Sequence, residues 1–299
     1  MTTRTPQVRK IACGNLLWHV QIAGQGPLCL LVHGTGASVH TWRNLAPLLT
    51  RHFTLVMMDL PGHAQTRTPA QEPLTLPAMA DALWRLLEQE QWHAQVMVGH
   101  SAGAAIMLEL CLKHPEYARR LVSINGAVIP LQGLAGWVFS PLARLSANSQ
   151  LMARFFAFRA QNDRNIKKLL DSTGSTVDAT SFRSYADLFS DPQHVSGVLR
   201  MMANWQLDAL NAQLHQLQQT VHLVAAANDK TIPVRDTHRL QQLLPPEKVS
   251  THVIPARGHL VHEEDPESVA GQILAFACKD QTMHSPTLST DTPMQGIVP

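Results

Sequence analysis

Cysteine is scarce in this chain and scattered. The four of them, Cys13, Cys29, Cys111 and Cys278, lie far apart in 299 residues. Neither a disulfide framework nor a metal-ligand spacing can be read from them, and a reducing compartment is the simpler setting. Charge of one sign is lacking too. The net charge is +2 with His neutral, too mild to argue for nucleic acid. No run approaches the roughly eighteen apolar residues of a membrane span. Met1 to Lys10 is polar and lacks the apolar core of a signal peptide. There is no internal repeat. These absences lead us to expect a cytoplasmic protein, with peripheral membrane contact left open. What the chain has is core-forming material. Hydrophobic residues make up 45% of it, which argues against disorder, and its length suits one large domain or two modest ones.

Apolar strands and amphipathic helices alternate along the chain. Ile11 to Ile22 reads as a strand pair. Leu28–Val32 is a continuous apolar run, as expected of a strand buried on both faces. Helical spacing follows through Trp42, Leu45, Leu48 and Leu49, then a second buried strand, Thr54–Met58. Leu76 to Glu90 is helical, with Met79, Leu83, Leu86 and Leu87 on one face. Further strands are Val96–Val98, Leu121–Ile124, Val221–Ala226 and Val249–Ile254, with helices to about Lys113, from Val234 to Leu243 and from Pro266 to Ala277. Such alternation implies a parallel sheet covered on both faces. It is interrupted once. Residues 127–205 carry helical stretches and no clear strand, which predicts a helical lid inserted into a core of residues 1–126 and 206–278. Residues 279–299, rich in Ser, Thr and Pro, read as a disordered tail.

The chemistry centres on Gly99-His100-Ser101-Ala102-Gly103. It follows an apolar run and precedes a small-residue, helix-prone one, the setting of a strand-to-helix turn that exposes a serine hydroxyl. A serine hydroxyl is a weak nucleophile. It needs a base, and the base needs an orienting carboxylate. In the order nucleophile, acid, His, the candidates are Asp229, after the strand Val221–Ala226, and His259, after Val249–Ile254. Each sits where sites form on open α/β sheets, at C-terminal strand ends. The oxyanion hole should use the N–H of Ala102 and that of Thr35, in the turn His33-Gly34-Thr35-Gly36. His33 and His100 flank the site. Packing and hydrogen bonding around the turn is the favoured role for both, and substrate contact the lesser one.

Together with Asp59-Leu60-Pro61-Gly62-His63 and Asn228-Asp229-Lys230-Thr231-Ile232-Pro233, these motifs make the chain resemble the α/β-hydrolase superfamily over residues 11 to 278. The resemblance implies a mostly parallel sheet flanked by helices, with an inserted helical lid. A serine nucleophile sets the chain apart from the dehalogenase and epoxide-hydrolase branches, which place Asp there, and from the dienelactone-hydrolase branch, which uses Cys. The lid wording narrows the likeness. Asn125-Gly126-Ala127-Val128-Ile129-Pro130, Gly136 to Arg144, Gly174-Ser175 and Met201-Met202-Ala203-Asn204-Trp205 are similar to the magnesium-chelatase accessory proteins encoded with bacteriochlorophyll-synthesis enzymes in phototrophic bacteria. That likeness implies a tetrapyrrole pathway without fixing a reaction.

The lid also has its own chemistry. Trp137, Phe139, Phe155, Phe156 and Phe158 cluster with Arg144, Arg154, Arg159, Arg164, Lys167 and Lys168, and Leu131–Leu170 holds six basic residues against one acidic, Asp163. Aromatics stack on a flat macrocycle and arginines pair with its propionates. The same composition suits an anionic membrane surface, or an ordinary lid with a solvated basic outer face. Trp137, Arg154, Phe155 and Arg159 are the candidate substrate contacts. The expected activity is hydrolysis of a carboxylic ester with no metal or organic cofactor, and the resemblance implies a tetrapyrrole ester as the substrate. Expected partners are a small-molecule substrate and, in the pathway reading, magnesium chelatase or a membrane surface. Two rivals stand beside it: a non-catalytic porphyrin-binding or chelatase-assisting protein on a hydrolase scaffold, and a carbon–carbon bond hydrolase using the same three residues.

Overall fold

The computed structural model describes residues 6–130 and 149–278. Gln7–Cys13 (β1) and Leu16–Gly24 (β2) form an antiparallel hairpin around Gly14, whose φ of 57° suits a tight reversal. The remaining strands are Leu28–Val32 (β3), Thr54–Met58 (β4), Val96–His100 (β5), Arg120–Ile124 (β6), Thr220–Ala226 (β7) and Val249–Ile254 (β8). They join the hairpin in one sheet ordered β1-β2-β4-β3-β5-β6-β7-β8. The pairing of β2 with β4 is antiparallel, and every later pairing is parallel.

Alternate residues of the central strands feed two separate cores. Leu30, Val32, Val56, Met58, Met97 and Leu121 pack on one face, against Leu76–Gln89 and Ala102–Lys113. Cys29, Leu31, Leu55, Met57, Val96 and Val98 pack on the other, with Trp42, Leu49, Ile273 and Phe276. This period of two is what a strand dictates, and burial of both faces is why these strands read as unbroken apolar runs.

Among the described residues the α-helices in order are Ala46–Leu49 (α1), Leu76–Gln89 (α2), Ala102–Lys113 (α3), Gln150–Ala160 (α4), Asp163–Ser172 (α5), Ala179–Phe189 (α6), Pro192–Ala203 (α7), Asp208–Gln213 (α8), Val234–Leu243 (α9), Val261–Glu264 (α10) and Pro266–Ala277 (α11). One expectation changes here. The periodic stretch from Trp42 to Leu49 is not one helix. It is a 3₁₀ turn, Val39–Trp42, followed by the short α1. Pro47 explains the break. It has no N–H to give a preceding turn and fits only the first turn of a new helix.

Helices α4 to α7 lie between β6 and β7. Ser149, Asn162, Asp178 and Asp191 each cap the helix they precede by accepting a backbone N–H, so four short helices form there in place of one long one. The segment docks on the core through an apolar cluster that joins Ala160, Ile166, Leu170 and Tyr185 to Ala37 and Leu260. The tail 279–299 and the aromatic stretch with Trp137, Phe139 and Arg144 lie outside the described residues.

Candidate active site

The serine turn is built by exclusion. Ser101 has φ 52° and ψ −118°, a region that L-residues rarely adopt and that costs on the order of 1–3 kcal/mol. The neighbours leave no room for larger side chains. A Cβ on Gly99 would stand 2.6 Å from the Ala104 nitrogen, and one on Gly103 would stand 2.2 Å from the Val32 carbonyl oxygen. Gly34 is bare for the same reason, since its Cβ would meet the Ser101 Cβ at 2.8 Å. The Ser101 side chain does not cap α3, so its hydroxyl is not committed to the helix it precedes. The backbone N–H groups of Ala102 and Thr35 donate to no acceptor among the described residues. The Ala102 N–H also lies at the positive end of α3.

Asp229 and His259 meet at the same edge of the sheet. His259 Nδ1 lies 2.7 Å from Asp229 Oδ2. The other carboxylate oxygen, Oδ1, accepts the N–H groups of Thr231 at 2.7 Å and Ile232 at 2.8 Å. Asp229 is thus held by its own turn while one oxygen remains for the imidazole. With Nδ1 on the carboxylate, Nε2 is the ring nitrogen that this pair leaves uncommitted. The His259 ring lies against the ring of His100, the residue before Ser101, with centroids 4.7 Å apart.

Asn125, at the end of β6, ties these loops together. Its side-chain N–H group donates to the carbonyls of Gly258 (3.2 Å) and His259 (2.9 Å), and its oxygen accepts the Ala226 N–H at 2.8 Å. It does so from φ 44°, where Asn is better tolerated than most residues. Thr173, between α5 and α6, adds a second tie. Its carbonyl accepts the N–H of His259 at 3.3 Å and of Lys230 at 3.2 Å. Ser175 Oγ accepts the Leu260 N–H at 2.8 Å.

His33 and His100 are buried and occupied with structure. His33 donates from Nδ1 to the Gly34 carbonyl at 2.7 Å and accepts the Leu60 N–H at Nε2, 2.9 Å. His100 donates from Nε2 to the His259 carbonyl at 2.9 Å. Burial holds both well below the usual imidazole range, so both are neutral. These bonds are the structural ties expected of both around the serine turn.

The lid candidates fall elsewhere. Arg154, Phe155 and Arg159 are exposed on the outer face of α4, and Ala153 and Ala157 face inward. Trp137 lies outside the described residues. The side chains that reach the oxyanion turn are ones the sequence did not single out as contacts. A Cβ on Gly36 would touch the Phe189 ring at 2.9 Å, and Thr35 Oγ1 lies 3.6 Å from Met201 Sδ. Phe189 had no signal beyond its position in helices inserted before β7, and Met201 appeared only in the wording of the family likeness. Among the described residues no group of three His, Cys, Asp or Glu is placed to hold a metal ion, and no helix is long and apolar enough to cross a membrane.

A sharp serine turn, an Asp–His pair and two N–H groups with no acceptor among the described residues, all at the C-terminal edge of a mostly parallel sheet, define the class. The chain belongs to the alpha/beta hydrolase fold family, whose model matches residues 27–266. Within it, the chain is 37% identical over 267 residues to the magnesium-chelatase 30 kDa subunit of Rhodobacter capsulatus, covering 87% of this chain and 91% of that one. It is 25% identical over 268 residues to the pimeloyl-[acyl-carrier protein] methyl ester esterase of Vibrio vulnificus (strain YJ016), covering 87% and 98%. The crystal structure of a serine hydrolase involved in carbazole degradation superposes with a TM-score of 0.75 at 21% identity, covering 91% of this chain and 98% of that one; that likeness speaks for the fold.

Proposed function

We propose that this chain is a serine hydrolase that cleaves a carboxylic ester, and that its substrate belongs to magnesium-tetrapyrrole synthesis. One observation carries the chemical half: the 2.7 Å Asp229–His259 pair at the same sheet edge as the strained Ser101. Ser101 attacks the ester carbonyl while His259 Nε2 takes its proton. Asp229 holds the tautomer that leaves Nε2 free and stabilises the imidazolium. The N–H groups of Thr35 and Ala102 receive the oxyanion. His259 then protonates the departing alcohol, and water releases the acid by the same steps in reverse. The helices between β6 and β7 act as the lid that shapes the pocket, with Phe189 and Met201 nearest the oxyanion turn. The pathway half rests on the 37% identity to the magnesium-chelatase subunit.

A fluorophosphonate probe tests the chemistry. The expected result is one adduct, on Ser101, absent from Ser101→Ala. Asp229→Asn should still fold but lose rate on a model ester by roughly 10⁴-fold. An unlabelled Ser101 in folded protein would sink the proposal. The name of that same relative favours a second reading, in which the scaffold assists the chelatase without catalysis. A deletion strain compared with a Ser101→Ala strain separates the two. Equal pigment defects support the hydrolase, and a normal Ser101→Ala strain supports the accessory role.

A further inference from the structure

We propose that the outer face of α4 is a docking surface for an anionic lipid bilayer. The helix is amphipathic the wrong way round for a simple cover. Its small residues Ala153, Ala157 and Ala160 are buried against the neighbouring helices. Its large apolar residues point out: Leu151 is 76% exposed, Phe155 53% and Phe158 68%. These three stand at i, i+4 and i+7, one ridge along the helix. In the same helical spacing Arg154 flanks the ridge on one side and Arg159 on the other. Both are exposed, and neither forms an ion pair among the described residues. The helix holds no acidic residue.

Charge decides between occupants. A second protein that covered this ridge would need acidic groups to match both arginines, and a second copy of α4 would bring two more arginines against them. A phosphate-rich interface meets both demands, since phenyl rings enter the acyl boundary while arginines snorkel to the headgroups. Next to the ridge an open cleft of about 850 Å³ is lined by Phe158, Arg159, Gln161, Asn162, Asn165 and Arg183, with one carboxylate, Asp163, room for a phosphate headgroup beside the inserted ring. Arg183 stands 4.0 Å from Asp163 there, an exposed pair that phosphate can displace. None of this depends on the hydrolase reading.

Vesicle flotation of the full chain tests the proposal. We expect it to float with phosphatidylcholine vesicles that contain phosphatidylglycerol, to float poorly with phosphatidylcholine alone, and to be released by salt. Arg154→Ala with Arg159→Ala should weaken anionic-vesicle binding by about thirtyfold. Leu151→Ser with Phe158→Ser should weaken it at least about tenfold, without lowering the melting midpoint, because the ridge is solvated in the free protein. Absence of flotation overturns the proposal, as does flotation that both variants leave unchanged. Conversion of a dimer to a monomer by the serine variant, read by sedimentation, would assign the ridge to a second copy. Loss of free porphyrin binding in the arginine variant, with flotation intact, would assign the arginines to substrate.

Discussion

Asn125, which the sequence offered only as wording of a family likeness, ties the histidine loop to the sheet. Three hydrogen bonds from one amide connect the ends of β6 and β7 to Gly258 and His259. Asn125→Ala would take a buried partner from the Gly258 carbonyl and the Ala226 N–H, while the His259 carbonyl keeps the His100 ring; the cost is about 1–3 kcal/mol for each group left unsatisfied, and alanine would sit at a φ of 44°. Asn125→Gly removes the same bonds but tolerates that φ. The two variants should therefore differ in melting midpoint, with glycine higher. Both should lose kcat on a model ester by about ten- to a hundredfold, with little change in KM, since the bonds place His259 and not the substrate. A glycine variant with full kcat would reduce Asn125 to a stabilising residue. Ser101, Asp229 and His259 could be singled out in the sequence because each follows an apolar strand within a few residues. The role of Asn125 could not, because its partners lie more than a hundred positions away, and it stood in the sequence only as wording of a family likeness. The contacts of Phe189 and Met201 were hidden for the same reason.

Helices α4 to α7 meet the core by backbone contact as well as by side chains. Gly197, in α7, packs on Gly62 so closely that a Cβ would stand 1.7 Å from the Gly62 carbonyl oxygen. Gly197→Ala must push α7 off the Pro61-Gly62 turn. We expect a loss of about 1–3 kcal/mol or more and, because Met201 rides on the same helix near Thr35, a changed selectivity between short and long acyl esters. Chemical denaturation and a chain-length series read the two effects. The strands were legible at element scale because burial on both faces leaves an unbroken apolar run. The helices of the insert were legible as helices, yet their inner and outer faces were not. On α4 the aromatic residues point outward and the alanines inward, the reverse of what hydrophobicity alone suggests. Pro47, by contrast, stood in plain view, and the periodicity around it hid the break it causes.

Across the whole molecule, histidine burial sets the response to acid. Burial lowers His40 and His63 to about 4, and His194 and His262 to about 3, from an ordinary 6.5. Below pH 6.5 the unfolded chain takes up protons that the folded chain refuses, so stability falls as pH drops toward 4. Each such histidine contributes a slope of about 1.4 kcal/mol per pH unit through that window. Asp59 works against them. Burial raises it to about 6 from 3.8, so its share of stability is present at low pH and is lost as pH rises through about 6. Burial also lowers His19, His33 and His100, and it raises Glu263 as it raises Asp59, so seven histidines stand against two carboxylates and the histidines dominate. Urea denaturation at pH 7.5 and at pH 5.5 should show a clear loss of stability on the acid side. Equal midpoints would mean that these rings are solvated in solution.

The single carbonyl of Thr173, shared by the loop that carries Asp229 and the loop that carries His259, makes this chain a poor source of interchangeable parts. A chimera that grafts another relative's helices between β6 and β7 discards the acceptor on which both loops hang. Transplanting the selectivity of such a relative would require moving three pieces together: the insert, the Asp229 loop and the His259 loop.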